Sequence, residues 1–91
     1  MVQIVENRAQ LTCRLEAARA VDDHVELDAW IEAADDVDGF RNLLRQHVGS
    51  RKVIKLRGAG VALVPGTRFT VRARLVDPAT AWGEPETLAT L

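Results

Sequence analysis

Phe40-Arg41-Asn42-Leu43-Leu44-Arg45-Gln46-His47-Val48 is the stretch on which the fold turns. Phe40, Leu43, Leu44, His47 and Val48 recur at spacings of three and four, which gathers the apolar side chains on one side of a helix. Strand alternation would instead carry polar Asn42 inward beside Phe40 and Leu44. The spacing predicts one short helix over residues 40–48. Its flanks agree: an Asp among Asp35, Asp36 and Asp38 can cap the first free amides, Arg45 suits the negative end of the helix dipole, and Gly49 can take the left-handed stop.

On either side of this segment the apolar period shortens to two. Ala9, Leu11, Cys13, Leu15 and Ala17 alternate with polar residues, as do Val25, Leu27, Ala29, Ile31 and Ala33 beyond the turn at Asp22-Asp23. Two such runs with so short a connection read as an antiparallel pair. Downstream, Ile54 and Leu56 mark a third strand opposite Val53, Lys55 and Arg57. Gly58-Ala59-Gly60 ends it, and Val61-Ala62-Leu63 supplies an apolar plug before the Pro65-Gly66 turn. The fourth strand is the clearest, with Phe69, Val71, Ala73 and Leu75 inward and Arg68, Thr70, Arg72 and Arg74 outward. After Asp77-Pro78 the pattern loosens, and residues 78–91 read as an irregular tail or a weak last strand at Glu86–Leu91.

The chain has 91 residues, 47% of them hydrophobic and 27% charged, which fits one globular domain with a single core and an N-terminal arm over residues 1–8. Four to five strands and one helix at this length suit a small antiparallel barrel. No apolar run approaches a membrane span, and Glu6 and Asn7 interrupt the apolar stretch that a signal peptide needs, so a cytoplasmic protein is expected. Cys13 is the single cysteine and lies on the apolar phase of the first strand, where it reads as an inert buried thiol.

The order Val37-Asp38-Gly39-Phe40-Arg41-Asn42-Leu43-Leu44, then Val48-Gly49, a strand, Pro65-Gly66 and a final strong strand resembles small uncharacterised bacterial proteins of the OB-like barrel kind. That resemblance implies an OB-like fold and carries no activity with it. Residues 63–74, from the turn into the fourth strand, also resemble fibronectin type III modules, with Trp30 and Phe40 near the places of their early aromatics. A sandwich of that kind needs a strand between Phe40 and Val48, so the helical spacing there favours the barrel.

The chemistry is sparse. His24 and His47 lack Cys or His partners at metal-ligand spacing, and the Asp35–Asp38 cluster meets His47 or Gly49 where a calcium loop needs its bidentate acid. No lysine-bearing helix follows Gly58-Ala59-Gly60 as a phosphate loop requires, and Ser50 is the only serine. Neither a catalytic constellation, a cofactor nor a small-molecule substrate is indicated.

Charge supplies the functional signal. Residues 1–38 carry ten acids and three bases, residues 39–76 carry nine bases and no acid, and the remainder adds three acids. Trp30, Lys55, Arg57, Arg68, Arg72 and Arg74 fall on outward strand positions and form the candidate surface. Two functions follow: a non-catalytic module that docks on a protein partner or on itself, or a single-stranded nucleic-acid-binding domain with Trp30 as stacking platform. Against both stands internal cancellation, in which Glu26, Asp28 and Glu32 face Lys55 and Arg57 across an antiparallel ladder.

Overall fold

The computed structural model describes residues 6–58 and 63–91. The strands are β1 (Ala9–Val21), β2 (His24–Asp36), β3 (Arg51–Arg57), β4 (Arg68–Asp77), β5 (Thr80–Gly83) and the two-residue β6 (Ala89–Thr90). They form one sheet in the order β1-β2-β3-β5-β4-β6, and β4 returns to pair with β1. The first five therefore close into a barrel, with β6 added outside the closure. All neighbours are antiparallel except β3 and β5, which run parallel. The result is a small OB-like barrel whose sheet closes on itself instead of splitting into two layers.

Alternation builds the core. Leu11, Cys13 and Leu15 of β1, Leu27 and Ile31 of β2, Ile54 and Leu56 of β3, and Phe69 and Val71 of β4 are buried together, joined by Ala81 of β5. Each large aliphatic or aromatic side chain so buried contributes roughly 1.5–3 kcal/mol of transfer free energy. The Asp22-Asp23 turn joins β1 to β2 with Val21 opposite His24, and Asp22 adopts φ 52°, a left-handed conformation that Asp tolerates in tight turns.

The inward phase ends at Leu15. A register shift between Leu15 and Ala17 inserts Glu16 as an extra residue, and Ala17 is exposed where alternation predicts it inward. The closing strand also differs from expectation. It is β5, at Thr80–Gly83 within the segment read as an irregular tail, whereas the Glu86–Leu91 region supplies only β6. Gly83 is required there: a Cβ would stand 2.6 Å from Leu56 Cδ2 and 3.2 Å from Val71 Cγ2.

The helix predicted over residues 40–48 shrinks to a 3-10 turn at Arg45–His47. Competing bonds take the backbone elsewhere. Asn42 Nδ2 donates to the Ala34 carbonyl and to Asp36 Oδ1, each at 3.0 Å, and Asn42 Oδ1 accepts from the Leu44 amide at 3.2 Å. Meanwhile the Arg41 carbonyl accepts from the Arg8 amide at 3.0 Å. No Asp side chain caps the turn, though Gly49 does take a positive φ. Leu44 is buried as expected, but Phe40 stays half-buried at the surface with Arg8 over its ring at 4.7 Å.

Cys13 is fully buried, and burial, followed by the charge of Glu32, pushes its thiol up to about 12. A thiolate reagent at neutral pH is expected to leave the folded protein unmodified and to label one thiol after denaturation. Rapid labelling without denaturant would contradict that placement. Val61-Ala62, and Ala59-Gly60 of the glycine stretch, lie outside the described residues.

Candidate binding face

Part of the charge partition cancels across the outer surface of the sheet. Glu26 lies opposite Lys55 with 3.9 Å between the charged groups, and it also takes Arg19 Nε at 2.9 Å. Arg19 reaches Asp28 at 3.0 Å, Arg51 reaches Glu16 at 3.5 Å and Arg68 reaches Glu32 at 2.8 Å. The hydrogen bond from His24, together with Arg19 and Lys55, holds the Glu26 carboxyl below its usual range against partial desolvation. Such exposed pairs contribute about 0–1 kcal/mol each; they hold Arg19, Arg51 and Arg68, whereas Lys55, at 3.9 Å from a Glu26 carboxylate already bound by Arg19, stays available to a ligand. The expected pairing is thus present in part: Asp28 lies opposite Val53, Arg57 lies opposite His24, and Glu32 serves Arg68.

Some of the charge that escapes cancellation gathers around Trp82. This residue follows buried Ala81 on β5, so alternation turns its ring outward. Lys55 of β3 and Arg74 of β4 are its register partners on the two sides. The Arg57 guanidinium carbon lies 5.1 Å from the ring centroid, Lys55 Nζ 5.7 Å, and the His24 ring 5.7 Å at an interplanar angle of 55°. Among the described residues Arg57 and Arg74 form no ion pair. A groove of about 420 Å³ runs beside them, lined by Arg8, Arg57, Arg74, Trp82, Glu84 and Pro85 among others. Its far wall is fixed by an Arg8–Glu84 pair at 3.1 Å.

The six residues singled out from the sequence therefore divide. Lys55, Arg57 and Arg74 come together. Arg68 sits elsewhere, bound to Glu32. Arg72 is half-buried, its Nε is buried without a hydrogen-bond partner, and it lines a separate depression with Asp35, Asp36 and Asp38. Trp30 is half-buried on β2 between Arg14 and Arg51, and Arg51 lies four residues along β3 from Lys55, roughly 13 Å at strand rise. It cannot share a ligand's first contact with Trp82.

Trp82 is the second possible stacking aromatic in the sequence, and it stands outside the six candidates because it falls in the segment that reads as irregular. The signal was present in Thr80-Ala81-Trp82-Gly83, where one alternating pair directly follows the Asp77-Pro78 break. Chemically, the arrangement offers a π face with cations at its rim, which suits a planar ring carrying nearby negative charge. Among the described residues no group of three or more His, Cys, Asp or Glu is placed to hold a metal ion, and no helix is long and apolar enough to cross a membrane. Comparison of the chain with protein families, curated protein sequences and solved structures finds no match.

Proposed function

We propose that the barrel is a non-catalytic binding module that takes single-stranded nucleic acid on the outer face of β3, β5 and β4. One observation carries this reading: Trp82 stands outward with Lys55 and Arg74 as its lateral partners and Arg57 over its ring. A base stacks on the indole while Lys55, Arg57 and Arg74 receive the flanking phosphates. Stacking is indifferent to sequence because every base has a π face, so the module binds with little base preference.

The test is the anisotropy of a short labelled single strand, titrated at rising salt. Three phosphate contacts at about −0.7 each give a log–log slope near −2, so a fourfold rise in salt weakens binding by roughly 16-fold. No change in anisotropy at low salt would overturn the proposal. Docking on a protein partner or on a second copy is the second reading, favoured by the outer edge of β1 beyond Glu16, which among the described residues pairs with no strand.

A further inference from the structure

The barrel wall uses only part of β1. Its outer edge pairs with β4 from Ala9 to Arg14, and Leu15 completes the contact through the Thr67 carbonyl and the Gly66 amide. Beyond the irregularity after Leu15, β1 continues to Val21 paired with β2 alone. Ala17, Ala18, Arg19 and Ala20 are all exposed, and among the described residues no strand pairs with the outer edge of this segment. The bulge turns the strand away from the wall and presents that edge to solvent.

Register decides which groups are left over. A two-residue turn makes Val21 and His24 a hydrogen-bonded pair, and alternation makes Arg19–Glu26 and Ala17–Asp28 the next two. The amides and carbonyls of Ala18 and Ala20 then point outward, away from β2. An exposed strand edge of this sort is a template for another strand, and proteins usually blunt one with Lys or Pro. Here the only charged side chain is Arg19, already engaged by Glu26 at 2.9 Å and Asp28 at 3.0 Å on its own hairpin.

We infer that this edge pairs antiparallel with the same edge of a second copy of the chain, about a two-fold axis through Arg19. The segment Ala17-Ala18-Arg19-Ala20-Val21 reads nearly the same in both directions, as an isologous interface requires. Ala18 of one copy then exchanges both backbone bonds with Ala20 of the other, and small side chains let the strands approach. The two Arg19 side chains face each other at the axis, where the Glu26 and Asp28 carboxylates of both hairpins offset their repulsion. Pairing over five residues buries far less than the roughly 1,200 Å² of a stable interface, so the dimer is weak and depends on concentration.

Sedimentation equilibrium of the full chain, run from micromolar to millimolar concentration without nucleic acid, tests the inference. The expected result is a mass that climbs from monomer towards dimer. The double variant Ala18→Pro/Ala20→Pro removes two amides that bond nothing in the monomer, so it remains monomeric with an unchanged circular dichroism spectrum. Should the prolines disturb the hairpin, Arg19→Cys gives a second measurement, since the pairing sets the two thiols opposite each other. It cross-links on mild oxidation faster than Asp38→Cys, which lies outside the pairing. A chain that stays monomeric at millimolar concentration, or an Arg19→Cys variant that cross-links no faster than Asp38→Cys, would overturn it.

Discussion

Asn7→Ala lowers the thermal midpoint by roughly 10–50 °C, a larger loss than any single exposed ion pair of this protein could cause. Asn7 is 2% exposed. Its Nδ2 donates to the Leu75 carbonyl at 3.1 Å and its Oδ1 accepts from the Leu75 amide at 2.7 Å. The position explains the arrangement. β1 begins at Ala9 opposite Ala73, so Leu75 lies one rung beyond the end of the β1–β4 ladder, and the carboxamide supplies the missing rung. Alanine leaves an amide and a carbonyl unpaired in the interior at about 1–3 kcal/mol each, and a domain of this size shifts its midpoint by about 4–8 °C per kcal/mol.

Asn7→Asp makes the assignment sharper. A carboxylate keeps an acceptor for the Leu75 amide but turns its second oxygen towards the Leu75 carbonyl, so the neutral, protonated form is the one the site favours. The folded-state pKa is therefore raised, and the stability of this variant is greatest in acid and falls as pH rises through that value. Calorimetry of both variants across pH checks the pair. A loss of only a few degrees for Asn7→Ala would mean that water reaches Leu75 and replaces the side chain.

The barrel was legible because period-two alternation survives in β1 to β4, where one face is buried and the other wet. Its closure was less so. β5 has four residues and only one of them, Ala81, is buried, too little pattern to separate from a tail. The segment that argued most directly for the barrel, Phe40–Val48, gave the right buried residue in Leu44 for a helix that does not form. Asn42 is the reason: its side chain satisfies groups from Ala34 to Leu44, and no local propensity reports such bonds across a turn. Asn7 was invisible for the same cause, since its partner is 68 residues away. Charge was legible as a partition, but which charges cancel depends on register, and register follows from a bulge at Glu16 and a parallel β3–β5 contact that alternation alone does not fix.

Trp82→Ala weakens single-strand binding by about 5- to 150-fold, the equivalent of losing one stacked base at about 1–3 kcal/mol, while the thermal midpoint stays close to that of the parent. The ring is half-buried on the outside of the barrel and fills no part of the core, so its removal opens no internal cavity. Arg57→Gln and Arg74→Gln act differently: each removes one phosphate contact and lowers the steepness of the salt dependence by about 0.7. Arg68→Gln leaves the slope unchanged because its guanidinium is held by Glu32 at the other end of β4. Trp30→Ala separates the two aromatic candidates, since Trp30 lies beside Arg14 and Arg51, away from the Trp82 groove. If Trp30→Ala costs as much affinity as Trp82→Ala, the binding face is the β1–β2–β3 surface, where the arginines nearest Trp30 would carry the salt dependence. If neither substitution matters while the slope remains steep, phosphate contacts alone hold the strand and no base is stacked.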